Sequence, residues 1–264
     1  MMLPHLRGRP LTRVRFPDGV ESQRFFEKRA PSHTPDWVKT APIEMGRAGT
    51  LDFIVCDERA TLVWLAQLAA LELHPSLALA KRPERPTVIA FDLDPGAPAT
   101  AVECAQIALR LRELFASLEL ECFAKHSGSK GIQVYVPLNT ATDYERTKSY
   151  ARAVAQALER QHADLVVSKQ DKTLRKGKVL VDWSQNDYSK TTVAVYSLRC
   201  RPRPWASTPL TWEEVEELAD DGDPESVRFE AGEVLERIER LGDLFAPVLE
   251  LKQKLPKPDA VRNR

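Results

Sequence analysis

The chain has 264 residues, 43% hydrophobic and 29% charged, an ordinary globular mix for one large domain or two closely packed ones. Lys+Arg and Asp+Glu both number 38, so zero net charge argues against a nonspecific polycation, and no apolar run is long enough to span a membrane. Cys56, Cys104, Cys122 and Cys200 are scattered without CxxC spacing and read as reduced, mostly core residues; with no signal peptide in Met1 to Gly8, a cytoplasmic location is expected.

Residues 1–50 are rich in Pro and Arg and poor in periodicity; Leu11 to Phe16 reads as a short strand, and Phe16-Pro17-Asp18-Gly19 as a turn. Leu51 to Cys56 reads as a strand, and Asp57 as the N-cap of an apolar helix running to about Glu72. Thr87 to Asp94 is a strand, Ala99 to Leu120 a long amphipathic helix, and Glu121 to Lys125 a strand after it. A polar loop follows, then Ile132 to Leu138, whose alternation predicts a half-buried strand. Thr142 and Glu145 form a capping box for a helix to about His162. Asp164 to Ser168, Lys178 to Trp183 and Thr192 to Arg199 read as strands. Thr211 and Glu214 cap another helix, Glu233 to Lys252 forms the last, and the tail from Leu255 is expected to be disordered. Mixed strands and helices with hairpin-like successions place the chain in the α+β class.

The segment Val88-Ile89-Ala90-Phe91-Asp92-Leu93-Asp94-Pro95-Gly96 carries the sharpest chemical signal. Strand side chains alternate, so Asp92 and Asp94 share a face while Leu93 points into the core. Two carboxylates at a strand end suit hard divalent cations, and two metals about 3.5–4 Å apart are a standard device of phosphoryl transfer, but Asp-x-Asp alone fits equally a metal-dependent glycosyltransferase, the nucleophile and acid of a haloacid-dehalogenase-type phosphatase, or a plain strand-to-turn junction. Asp182, after the apolar Val179-Leu180-Val181, offers a third carboxylate; on its own a solvent-facing strand end is the better reading. The loop Ser127-Gly128-Ser129-Lys130-Gly131 fits a phosphate cradle or a plain hairpin connection, and it is not a Walker A loop because it enters a strand. Arg175 and Arg199 sit in the two basic stretches, Lys169 to Lys178 and Lys190 to Arg203, as phosphate contacts or as a solvated rim. His74 fits a structural or a functional histidine, and Phe25-Phe26 a stacking platform or two core side chains.

The order of motifs adds more than any one of them. Phe-Phe-Glu-Lys (25–28), Pro-Ser-His-Thr-Pro-Asp-Trp (31–37), Glu-Leu-His-Pro (72–75), Phe-Asp-Leu-Asp-Pro-Gly (91–96), Ser-Gly-Ser-Lys-Gly (127–131), Val-Asp-Trp-Ser-Gln-Asn (181–186) and Tyr-Ser-Leu-Arg (196–199) follow one another. The series resembles the polymerase domain of bacterial ligase D, of the archaeo-eukaryotic primase-polymerase superfamily, over roughly residues 3–215. With no ligase or nuclease region after it, the chain resembles the stand-alone mycobacterial-type enzymes.

The resemblance implies a primase-polymerase fold, with mixed and antiparallel sheets flanked by helices around an acidic cleft. Residues 1–255 would form one catalytic domain, with a small N-terminal subregion of about residues 1–50 packed on it, and 256–264 a tail. It implies Asp92, Asp94 and Asp182 as catalytic metal ligands for Mn²⁺ or Mg²⁺. One ion would lower the pKa of a primer 3′-hydroxyl, and the other would neutralise the triphosphate. It implies His74, Ser127, Lys130, Gly131, Arg175 and Arg199 as nucleotide-binding residues, and Phe25, Phe26, Lys28 and Lys39 as DNA-binding residues. The partners would be gapped or primer-template DNA, nucleoside triphosphates (ribonucleotides preferred) and a separate ATP-dependent ligase. Two departures stand out. The family loop usually continues Gly-Leu-His, whereas Gly131-Ile132-Gln133 stands here, so weaker phosphate binding is expected because Gln cannot be a cation. The chain also begins at Met2 to Pro10, without the upstream segment that supplies part of a 5′-phosphate pocket; Lys28 and Lys39 would partly replace it. The alternative is a silent DNA-binding module serving a separate ligase, against which the carboxylate triad argues. A haloacid-dehalogenase-like phosphatase would need a late acidic motif after a strand, and Asp220-Asp221-Gly222-Asp223 follows a polar helix.

Overall fold

The computed structural model describes residues 1–257 apart from Pro202; residues 258–264, most of the expected tail, lie outside the described residues. The first half of the chain runs α1 (Leu3–Leu6), β1 (Pro10–Arg15), β2 (Phe25–Glu27), β3 (Thr40–Glu44), β4 (Thr50–Val55), α2 (Arg59–Gln67), β5 (Ala70–Pro75) and β6 (Val88–Pro95). Then come α3 (Ala101–Ser117), β7 (Phe123–His126), β8 (Ile132–Pro137), α4 (Tyr144–Gln161), β9 (Val166–Val167), β10 (Val179–Asp182), β11 (Pro209–Leu210), α5 (Trp212–Asp221), α6 (Ala231–Leu241) and α7 (Pro247–Glu250). The class is α+β.

Strands β1–β5 form an antiparallel sheet centred on β1, which pairs with β2, β4 and β5. The sheet to which residues 1–50 contribute therefore runs on to Pro75. The other six strands form a second sheet, ordered β11-β7-β8-β6-β10-β9, antiparallel except for the parallel β9–β10 pair. Alternation divides the second sheet. Ile89, Phe91 and Leu93 of β6, Ile132, Val134 and Val136 of β8, and Val179 and Val181 of β10 pack under α3, α4 and α5 in one core. A capping box of Thr100 and Glu103 starts α3, and one of Thr211 and Glu214 starts α5. The other face of the sheet carries Asp92, Gln133 and Asp182.

Several elements differ from the sequence expectation. The helix after Leu51–Cys56 stops at Gln67, and Ala70–Pro75 is a strand, because Leu-Glu-Leu-His alternates and β1 supplies it with a hydrogen-bonding edge. Asp57 does not cap that helix: its carboxylate accepts from the Gly8 N–H at 2.6 Å and from Lys39 Nζ at 2.8 Å. Asp143, not Thr142, caps α4, accepting from the Arg146 N–H at 2.8 Å. β8 is buried on both faces, not one, because Thr192 and α7 cover its other side.

Thr192–Arg199 forms no regular strand. It is a bridge hydrogen-bonded to β5 (Ala194 N–H to Leu73 O, 2.8 Å) and to the 205–207 segment (Arg199 N–H to Trp205 O, 2.9 Å). The last helix breaks at Gly242, whose φ of 71° favours glycine, and resumes at Pro247. Leu255 is buried in the main core, and its carbonyl accepts from Arg146, so the ordered chain extends beyond it.

Candidate active site

The site begins with a row across the second sheet. Asp182 pairs with Asp92, Asp92 with Gln133, and Gln133 with Lys125, so four adjacent strands place these side chains in line on one face. Directly opposed residues in such a ladder lie roughly 5 Å apart at Cβ. Asp94 lies on the same face, one step along β6, opposite Leu180. Alternation forces this arrangement: the aliphatic residue between each pair of polar ones is held by the helices behind.

Three acids on one face repel one another. Burial, then the charge of Asp94 and to a lesser extent Asp182, pushes the Asp92 carboxyl up to about 7, against the pull of a hydrogen bond from Gln133 and the charge of Lys125. Asp94, more open to solvent, is raised by burial and by Asp182; Arg175, Arg199 and Lys130 oppose the rise. Asp182 is 7% exposed, and its carboxylate is already engaged. Oδ1 accepts from the Ser184 N–H (2.9 Å) and hydroxyl (2.6 Å), and Oδ2 from Gln185 Nε2 (2.9 Å). Among the described residues no three acid, histidine or cysteine ligands close into a ready-made metal cage. The three carboxylates nonetheless fit a hard divalent cation: they share a face, and burial and mutual repulsion make Asp92 and Asp94 hold protons more tightly than usual.

The cleft over this face measures about 530 Å³. Its walls include Phe26 of β2, Lys28 just after it, His74 of β5, Asp92 of β6, Gln133 of β8, and Arg199. Phe25 and Phe26 are not core residues. They face opposite sides of β2; Phe26, 61% exposed, turns into the cleft and meets the His74 ring at 6.4 Å, while Phe25 does not line it. Lys28 Nζ donates to Ser189 O at 2.8 Å. Lys39 stands outside the cleft, paired with Asp57.

The 127–131 loop is tightly built. Gly128 has φ +71°, and a Cβ there would meet Arg199 Cγ at 2.7 Å; a Cβ on Gly131 would meet Leu93 O at 1.9 Å. The backbone N–H groups of Gly128, Ser129 and Gly131 are spent inside the loop, on His126 Nδ1 and Ser127 Oγ. The expected cradle of free amides is therefore absent at those three positions; the Ser127 hydroxyl is buried within the loop, and the side chain the loop leaves exposed is Lys130. His126 beneath it is held neutral by burial, its pKa pushed down to about 3. Arg175 is oriented by Gln170, whose backbone and side-chain oxygens accept from Nη2 at 2.7 and 2.9 Å.

Three contributors were not singled out in the sequence. Lys125 is fully buried; burial pushes its ammonium down to about 7, and it donates to Ser207 Oγ at 2.6 Å. A lysine within an otherwise apolar strand was the available signal. Asn186 hydrogen-bonds both the N–H and the C=O of Ala90 (2.9 and 2.7 Å), serving as a one-residue strand edge beside Asp92. Glu72 binds His74 and Arg199. The acidic run Asp220–Asp223 ends α5, which packs on α3 on the helical side of the sheet, away from these carboxylates.

Comparison with known proteins places the chain in a family. Residues 1–245 match the family model described as LigD, primase-polymerase domain. The multifunctional non-homologous end joining protein LigD of Mycolicibacterium smegmatis is 42% identical over 250 residues, covering 94% of this chain and 32% of the relative. The bifunctional LigD of Bacillus subtilis is 31% identical over 245 residues, 92% of this chain and 38% of the relative. The chain thus spans about a third of the length of these curated relatives. The solved polymerase domain of Mycobacterium tuberculosis ligase D, in complex with DNA, superposes with a TM-score of 0.86 at 38% identity, over 96% of this chain and 88% of that one. By the family match over most of its length and by its fold, the chain belongs to the LigD primase-polymerase domain family.

Proposed function

We propose that this chain is a metal-dependent, DNA-directed nucleotidyltransferase that extends primers and fills short gaps during DNA repair, acting in the cytoplasm beside a DNA ligase. The observation that carries this reading is the alignment of Asp92 and Asp182 across adjacent strands, with Asp94 on the same face, below a cleft rimmed by Arg199, His74 and Lys28. Family membership and the likeness to a polymerase domain solved with DNA support it. No described helix is long and apolar enough to cross a membrane.

Asp92, Asp94 and Asp182 would hold divalent cations, Mn²⁺ or Mg²⁺, which when bound supply Lewis acidity toward a primer 3′-hydroxyl and neutralise a triphosphate. The protein's own groups do the rest. Asp92 in its ionised form is held by the hydrogen bond from Gln133, which keeps its carboxylate available to a cation. Arg199, Arg175 and Lys130 lie near enough to Asp94 to oppose its protonation, so they bring positive charge to the acid edge where phosphates would sit. Phe26 offers an exposed ring on which a base can stack, and Lys28 a cation for backbone phosphate.

The test is extension of a labelled primer across a short gap, with Mn²⁺ or Mg²⁺ and with ribonucleotides against deoxyribonucleotides. Incorporation favouring ribonucleotides is expected, and Asp92→Ala, Asp94→Ala and Asp182→Ala should each abolish it while leaving DNA affinity largely intact. Extension retained by a clean Asp92→Ala preparation would overturn the mechanism.

A further inference from the structure

Glu72 does not line the cleft, yet it touches two residues that do. It is 6% exposed, one strand position pair away from His74 on β5, so both side chains point the same way. Its Oε2 lies 3.1 Å from His74 Nε2 and 3.2 Å from Arg199 Nε, and its Oε1 accepts from the Cys200 N–H at 2.9 Å. The neighbouring backbone is clamped as well: the Leu73 N–H donates to Ser197 Oγ at 2.9 Å, and Leu73 O accepts from the Ala194 N–H at 2.8 Å. β5 belongs to the first sheet. The Ser207 hydroxyl ties the neighbouring segment to the second sheet, donating to His126 O at 3.1 Å. The carboxylate therefore stands where the two sheets meet at the cleft.

We propose that Glu72 is a positioning residue that locks Arg199 and His74 in a nucleotide-binding arrangement before a nucleotide arrives; the inference rests on the polymerase reading above. An arginine has many rotamers, and its fork recognises phosphate well only when it is aimed. Glu72 faces Arg199 at Nε, the inner nitrogen, as an ion pair without hydrogen-bond alignment, while the Cγ of the same side chain lies against Gly128 of the loop. The shaft is thus gripped from two sides, and among the described residues no hydrogen bond ties the terminal nitrogens. An ionised carboxylate only accepts, so His74 must carry its proton on Nε2, leaving Nδ1 of the neutral ring as an acceptor. One buried acid thereby sets the direction of a cation and the tautomer of an imidazole. A neutral side chain of the same shape would leave the arginine without a counter-charge in a half-buried place.

The experiment is steady-state primer extension with the full chain, reading KM for the nucleotide and kcat separately, together with DNA affinity and thermal unfolding. Glu72→Gln should raise KM roughly 10- to 100-fold, the loss found when partners supporting a site's contact residues are removed, with kcat and DNA affinity changed far less. In an Arg199→Ala, His74→Ala background the same substitution should add little, because both positioned side chains are already gone. A folded Glu72→Gln protein with the parent's KM, or an undiminished effect of Glu72→Gln on KM in that background, would overturn the proposal. If Glu72→Gln fails to fold, Glu72→Asp keeps the charge but draws it back by a methylene; it should also raise KM, and an unchanged KM would overturn the proposal equally. Absence of incorporation by the parent protein under either metal would instead sink the polymerase reading.

Discussion

Gln133→Leu isolates one hydrogen bond at the reacting acids. Gln133 is 4% exposed, and its Nε2 donates to Asp92 Oδ1 at 2.9 Å. Leucine fills a similar volume and removes the donor. Tyr135, whose hydroxyl reaches Gln133 Oε1 only at 3.4 Å, keeps its stronger bond to Thr192 Oγ1 at 2.7 Å, so no second group is orphaned. A hydrogen bond to an ionised group contributes about 1.5–3 kcal/mol, and about 1.36 kcal/mol corresponds to one pKa unit, so the Asp92 carboxyl should rise further by roughly 1–2 units. The sign follows from which form is bonded. Gln133 favours the carboxylate, its loss favours the acid, and a cation can use only the carboxylate. The acid limb of the pH–rate profile at limiting metal should therefore move to higher pH by that amount. Raising the metal concentration should partly restore the parent profile, because cations and protons compete for the same oxygens. An acid limb that stays in place in a folded Gln133→Leu protein would refute the reasoning.

Gly131→Ala would drive a Cβ to 1.9 Å from Leu93 O, so the loop or β6 must shift; extension should fall steeply, with stability lowered by about 1–3 kcal/mol in chemical unfolding. Asn186→Ala removes both hydrogen bonds to Ala90 in a fully buried place and should cost about 2–4 kcal/mol, measurable by urea titration. Glu72 has a folded-state pKa depressed from its ordinary 4.5 to about 2; burial alone would raise it, and the His74 hydrogen bond, the Arg199 charge and the Cys200 N–H outweigh that. A depressed acid stabilises the fold above its unfolded pKa and loses that contribution as pH falls through the folded one. Up to about 3 kcal/mol should therefore disappear between pH ~4.5 and ~2, and Glu72→Gln should flatten unfolding curves over that window.

Much of the site was legible because it depends on local rules. Period-two alternation alone puts Asp92 and Asp94 on one face with Leu93 behind, and the 0% exposure of Leu93 agrees with it. The Thr211–Glu214 capping box lies in the chain and forms as read. What went unread depends on partners distant in sequence. Leu68–Pro75 continues the apolar pattern of α2, and only the open edge of β1 turns it into a strand. Asp57 has the spacing of a cap, but Gly8 and Lys39, brought in by the first sheet, take its oxygens. Thr192–Arg199 alternates like a strand, yet its hydrogen bonds are divided between two sheets.

By itself the sequence determined which residue types the site has, in what order, and which of them share a strand face, since backbone geometry fixes side-chain direction within a few residues. Only the tertiary structure decided that Asp182 stands opposite Asp92, that Phe26 and not Phe25 enters the cleft, that Lys125 is buried in the same row as the acids, and that Glu72 holds Arg199 from 127 positions away. Those relations are set by strand register and sheet meeting sheet, where burial and charge act between groups that the chain itself keeps apart.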